Sequence, residues 1–158
     1  ALSVALLESR DFTEDDFARS HPAGSLGRRL LLQVSDLMHS HHRLPRVTQD
    51  SSLNLALEEM SLKGLGMTTV VDASGSLCGI FTDGDLRRLL EQQVVDIHQL
   101  RVSEVMHTGF TTIRDDELAA EALRLMDQCR INALPVINRD GQLLGAINMH
   151  DLLRAGVV

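Results

Sequence analysis

Two short stretches carry the residue types best suited to hold a small ligand. They are Gly79-Ile80-Phe81-Thr82-Asp83-Gly84-Asp85-Leu86 and Gly145-Ala146-Ile147-Asn148-Met149-His150-Asp151-Leu152. In each, an apolar run ends on a small polar side chain, and an acid follows three residues later. A strand passing into a helix at such a point presents free N–H groups and positive partial charge to an anion. A hydroxyl there adds a donor, and a carboxylate can accept from paired hydroxyls. Gly79, Thr82, Asp85, Asn148 and Asp151 are therefore the candidate ligand-binding residues. Asn148 stands where the first stretch has Thr82, so the second site departs from the first. A second reading needs no ligand: Thr82, Asp83, Asp85 and Asp151 are also good helix-capping and first-turn residues, and Gly79 and Gly145 also suit close strand packing. Arg28-Arg29 and Arg87-Arg88 are basic pairs able to meet one small anion, although the run from Asp83 to Glu91 also reads as a solvated helix face.

Other reactive side chains point less clearly. His39, His41, His42 and His107 lack fixed ligand spacing and an evident carboxylate partner, so a solvated His-rich loop is expected and no metal site. His150 falls just inside the second stretch. Cys78 and Cys129 form no CxxC pair, and free buried thiols in a reducing cytoplasm are expected. His21-Pro22, taken alone, reads as the end of a helix.

The elements that position these residues repeat. Positions 72 and 138, 75 and 141, 79 and 145, and 85 and 151 all differ by 66. Val34-Ser35-Asp36-Leu37-Met38-His39 resembles Val102-Ser103-Glu104-Val105-Met106-His107 at an offset of 68, so the first copy carries two extra residues in the loop with His41, His42 and Pro45. Each copy reads as strand, helix, strand, strand, helix. Leu53, Leu57 and Met60 give one helix its apolar spacing, and Leu118, Ala122, Leu125 and Met126 give the other. Asp115-Asp116-Glu117 is expected to start that second helix. Ser74-Gly75 and Asp140-Gly141 mark hairpin turns between strands at Met67–Asp72 and Leu77–Thr82 and their counterparts. One unit has too little core to stand alone, whereas two pack about a pseudo-twofold axis and leave two equivalent clefts.

Composition narrows the function. Hydrophobic residues are 44% of the 158, aromatics 3%, with no Trp or Tyr, and net charge is −7. Those values disfavour a stacking platform for single strands and a phosphate-backbone binder, so no nucleic-acid partner is expected. No apolar run approaches the roughly 18 residues that span a bilayer, so no membrane partner is expected. Residues 1–10 lack the order of a signal peptide and read as the continuation of a longer chain. The six methionines fall mostly on apolar faces, as core.

The Gly-hydrophobic-x-Thr-x-x-Asp pattern after the last strand of the unit resembles the CBS domain family. That resemblance implies a tandem CBS pair, an α/β (α+β) fold with each unit β-α-β-β-α. It also implies adenosine nucleotides or related ligands in the clefts, with Thr82 on phosphate and Asp85 on ribose hydroxyls. The stretch Ser20-His21-Pro22-Ala23-Gly24-Ser25-Leu26-Gly27-Arg28-Arg29 is similar to the end of the sugar isomerase (SIS) domain of bacterial arabinose 5-phosphate isomerases, which join an SIS domain to a CBS pair. The division implied is residues 1–33 as SIS tail and linker, 34–95 as the first repeat and 96–158 as the second. The implied parent reaction interconverts D-ribulose 5-phosphate and D-arabinose 5-phosphate for Kdo and lipopolysaccharide synthesis, with His21 as a catalytic residue of an incomplete site. This chain alone is then expected to be catalytically silent. The implied role is regulation by bound AMP, ATP or CMP-Kdo in a cytoplasmic homo-oligomer, a dimer or tetramer, with no required cofactor. The alternative is an assembly module with degenerate clefts.

Overall fold

The computed structural model describes residues 25–93 and 96–157. His21, with the helix end expected at His21-Pro22, lies outside the described residues.

The first half runs α1 (Ser25–Leu31), α2 (Val34–Leu37), β1 (His39–Ser40), a 3-10 turn at His41–Arg43, β2 (Arg46–Thr48), α3 (Leu53–Lys63), β3 (Met67–Val71), β4 (Leu77–Thr82) and α4 (Asp83–Glu91). The second half runs α5 (Val102–Val105), β5 (Ile113–Arg114), α6 (Ala119–Cys129), β6 (Ala133–Ile137), β7 (Leu143–Asn148) and α7 (Met149–Arg154), after a 3-10 turn at Ile97–Gln99. Each half therefore holds the expected β-α-β-β-α unit.

Local chemistry explains the matching elements. Ser52 caps α3, its hydroxyl accepting from the Leu55 amide at 3.2 Å, and Gly64 ends that helix in the left-handed region at φ 70°. The buried face of α3 is Leu53, Ala56 and Met60; that of α6 is Ala119, Ala122 and Met126, the same spacing one repeat later. Both hairpins turn on a side chain. The Asp72 carboxylate accepts from the Ser74 and Ser76 amides at 2.9 and 3.0 Å, and the Asn138 carbonyl accepts from Asp140 and Gln142, both at 2.9 Å. Gly75 and Gly141 supply positive φ at the two turns, 85° and 82°.

Acidic residues 115–117 do not start α6. They lie in the preceding turn, and Glu121 is the acid of the first helical turn. Asp116 instead meets Arg114 at 2.8 Å and Arg139 at 3.3 Å, and these guanidiniums hold its carboxyl below the usual carboxylate range. The carbonyls of Asp115 and Glu117 receive the amides of Ser35 and Val34.

One sheet has the order β2-β3-β4 and the other β1-β7-β6-β5. Strand β1, from the first half, is thus an edge of the second half's sheet, with His39 opposite Ala146. The exchange is reciprocal. His107 pairs with Ile80 on β4 through backbone hydrogen bonds of 2.7 and 3.0 Å. The leading helices follow. Val34 is buried with Ile113, Leu134, Ile147 and Leu152 of the second half, and Val102 with Val47, Val70 and Phe81 of the first. Backbone bonds repeat the pattern: Val34 N–H donates to Glu117 and Val102 N–H to Ser51, both at 2.9 Å. A third cluster, Leu44, Leu65, Met67, Ile80 and Ala146, seals the sheets together. Burying each leading valine is worth about 1.5–3 kcal/mol, gained only when the other repeat is folded.

Gly79 and Gly145 sit where these crossing segments pass. A Cβ on Gly145 would lie 2.6 Å from the His39 carbonyl oxygen, and one on Gly79 would lie 2.5 Å from Met106 Sδ. Neither position has room for a side chain, which is the packing role expected of them.

Candidate functional site

Strand β4 delivers Thr82 to the first turn of α4, where Thr82 and Asp85 form a reciprocal cap. The Asp85 amide donates to Thr82 Oγ1 at 3.1 Å, and the Thr82 amide and hydroxyl both donate to Asp85 Oδ2 at 3.0 Å. Asp85 Oδ1 accepts from Arg88, three residues along the helix, at 2.5 Å. Asn148 and Asp151 repeat the cap at the start of α7, with both bonds at 2.9 Å. Asp151 Oδ1, however, meets His39 Nε2 of the crossing strand at 2.8 Å. Asp85 Oδ2 is filled by the cap, while Asp85 Oδ1, holding Arg88, keeps a lone pair that a ligand hydroxyl would share with that arginine.

A cleft of about 750 Å³ opens between the two repeats beside the first motif. Thr82, Arg87 and Arg88 line one wall, and His107, Cys129 and Arg130 line the other. Thr82 faces this space; Asp85 stands behind it, joined through Thr82 and Arg88. Gly79 lies away from the lining, packed against Met106. The motif residues therefore do different jobs: Thr82 borders the cleft, Asp85 braces its wall, and Gly79 admits the crossing segment. In the second copy Asn148 holds the cap, while Asp151 is engaged by His39.

The histidines separate. His39 lies on the second sheet beside Asp151, and His107 on the first sheet at the cleft. Among the described residues no group of histidine, cysteine and carboxylate side chains has the arrangement of a metal site. Both cysteines are free. Cys78 is partly buried, and burial, with the Asp72 charge, pushes its thiol pKa up. Cys129 departs from the expectation of burial: it ends α6 at the cleft and is exposed, because the helix stops there and Arg130 turns the chain away.

Arg130 was not legible as a site residue from the apolar periodicity. Its signal was positional. It occupies the repeat position of Gly64, a helix C-terminal position where glycine is the default, and it has φ 55° there.

This architecture matches a known family over most of the chain. The CBS domain profile matches residues 34–92 and 102–158. The chain belongs to the CBS domain family. Its curated relatives include arabinose 5-phosphate isomerase KdsD of Pseudomonas aeruginosa, 55% identical over 158 residues, a match covering 100% of this chain and 48% of that protein. The enzyme of the same name from Escherichia coli K12 is 51% identical over the same span, again 48% of its length. The chain spans about half the length of these relatives. Among solved structures, CBSX2 in complex with AMP superposes with a TM-score of 0.65 at 26% identity, covering 80% of this chain and 96% of that one. No helix among the described residues is long and apolar enough to cross a membrane.

Proposed function

We propose that this CBS pair is the regulatory ligand-binding part of an arabinose 5-phosphate isomerase, and that its first cleft takes a nucleotide or nucleotide-sugar. The observation that carries this reading is the cleft itself, bordered by Thr82 at a helix start and lined by arginines from both repeats. The AMP held by the CBSX2 pair supports the ligand class. The identity with KdsD proteins supports the parent reaction, interconversion of D-ribulose 5-phosphate and D-arabinose 5-phosphate. Feedback control of Kdo synthesis makes CMP-Kdo the pathway ligand to test beside AMP and ATP. Thr82 contacts phosphate, and Asp85 Oδ1, shared with Arg88, accepts from ribose hydroxyls. Ligand binding biases the parent enzyme only if its affinity differs between two states of that enzyme. The setting is a cytoplasmic homo-oligomer, and His21 belongs to the catalytic part, so this chain alone turns over no sugar phosphate.

A second reading, an assembly module, has its own observation. Leu55, Leu62 and Leu90 on α3 and α4 are exposed large apolar side chains, 45%, 78% and 58% accessible.

A thermal-shift series with AMP, ATP, CMP and CMP-Kdo separates the two. A nucleotide at 100 times its Kd raises Tm by about 5–10 °C. Asp85→Ala lowers the ligand-free Tm through loss of the cap, worth about 0.5–2 kcal/mol, and removes the ligand shift as well. A protein that responds to none of the four compounds is the assembly module instead.

A further inference from the structure

The arginines at the first motif are not repeated at the corresponding positions of the second, where the one added cation, Lys63 in place of Cys129, is paired with Glu59 at 3.8 Å. The lip of the first cleft carries Arg87 and Arg88 from α4 and Arg130 from the end of α6. One repeat away, the residues corresponding to Arg87 and Arg130 are Leu153 and Gly64; only Arg88 has an arginine counterpart, Arg154. The chain as a whole has net charge −7, yet Asp83 is the acidic residue set against three guanidiniums in this lining. Among the described residues neither Arg87 nor Arg130 has a carboxylate partner, and Arg88, paired with Asp85, keeps its side chain 59% exposed. Two guanidiniums without a carboxylate partner, Arg87 and Arg130, beside a third that is paired with Asp85, suit a phosphate group on a concave site.

Arg130 adds an independent observation. Its backbone is left-handed at φ 55°, and the corresponding Gly64 is left-handed at φ 70°. The repeat demands this conformation, and glycine adopts it without steric penalty. An arginine held there costs backbone stability and gains the cleft a third cation. His41 and Gln93 are left-handed too, at φ 55° and 54°, and Arg130 is the one of the three that lines the cleft. In the second copy Asp151 is already engaged by His39 at 2.8 Å, with 17% and 10% of the two side chains accessible.

We infer that the first cleft binds one phosphate-bearing ligand per chain, its phosphate clamped across the repeats by Arg87, Arg88 and Arg130, and that the second cleft takes none. This rests on the ligand-binding reading above and names the group recognised, the repeat-bridging residue and the stoichiometry. A phosphate so held ties the end of α6 to the second half of α4, so occupancy stiffens the pair across its own pseudo-twofold axis.

The test is calorimetric titration of the chain with AMP, adenosine and inorganic pyrophosphate, repeated on Arg130→Gly and Arg154→Ala. Arg130→Gly installs the first repeat's own residue and relieves the left-handed arginine, so its Tm should not fall. We expect one AMP per chain, AMP affinity at least tenfold weaker in Arg130→Gly with adenosine affinity unchanged, and no effect of Arg154→Ala. Two AMP per chain, unchanged AMP affinity in Arg130→Gly, or loss of affinity in Arg154→Ala overturns the clamp and leaves the nucleotide reading standing. Pyrophosphate binding that is lost in Arg130→Gly, with no AMP binding, upholds the clamp and overturns the nucleotide reading. Binding of none of the probes overturns both.

Discussion

Thr82 and Asn148 cap their helices with nearly the same backbone angles, φ −121° and −122°, yet the acids completing the two caps keep different company. Asp85 turns its second oxygen to Arg88 on its own helix, and Asp151 turns its second oxygen to His39 from the other repeat. Each copy contains both kinds of partner: Arg154 corresponds to Arg88, and His107 to His39. Duplication supplied the same options twice, and each half settled on a different one. The half that chose its own arginine left His107 at the margin of an open cleft; the half that chose the crossing histidine bound its acid to the opposite repeat. A repeat thus preserves backbone hydrogen bonding, which caps and strand pairing dictate, while side-chain partners diverge at the surface where a ligand would sit.

The comparison can be broken first at the glycines. Gly145→Ala meets the His39 carbonyl, a backbone atom, whereas Gly79→Ala meets chiefly the flexible end of Met106, with the His107 carbonyl 3.3 Å away. Urea midpoints should show a loss of about 3 kcal/mol for Gly145→Ala and about 1 kcal/mol for Gly79→Ala. Equal losses would mean that the two crossings are equally rigid.

The exchange of leading segments predicts an effect at a distance in sequence. Val102→Ala removes methyls from the core built around Phe81 and Val70. It should cost about 2 kcal/mol, and native-state hydrogen exchange should show the lost protection in β3 and β4, the strands of the other repeat. Loosening confined to β6 and β7 would contradict the crossed packing.

Smallest is the contrast between the two histidines. His39→Ala leaves Asp151, whose side chain is 10% accessible, short of a partner for one oxygen. The expected loss at neutral pH is about 1–2 kcal/mol. His107→Ala removes a side chain with no hydrogen-bond partner among the described residues and should stay within about 0.5 kcal/mol. Comparable losses in both would place His107 in an ion pair with Asp85 in solution and erase the asymmetry.

Much of this was readable in the chain. The constant offset of 66 residues, the turn residues at Asp72 and Asn138, the capping pairs and the apolar spacing of α3 and α6 are local signals, and local hydrogen bonding and helical periodicity enforce them. So was the family, through the motif at Gly79 to Leu86. The start of α6 was not legible, because acids 115–117 suit a first helical turn equally well; Arg114 and Arg139, one of them 23 residues away from Asp116, decide otherwise.

What the sequence determined by itself was the content of each unit: which residues are strand, which are helix, and that the unit occurs twice. Only the tertiary structure decided how the two copies share their parts. The leading segments carry the pattern Val-Ser-Asp/Glu-Leu/Val-Met-His in both copies, and that pattern states an apolar face without stating which core receives it. The choice was made by space: the missing side chains of Gly79 and Gly145 open a channel beside the opposite sheet. The same exchange places His107 across from Thr82, and the packing of the two repeats brings Arg130 to that cleft. A binding cleft made from two repeats is a contact between residues far apart in the chain, and no local signal encodes it.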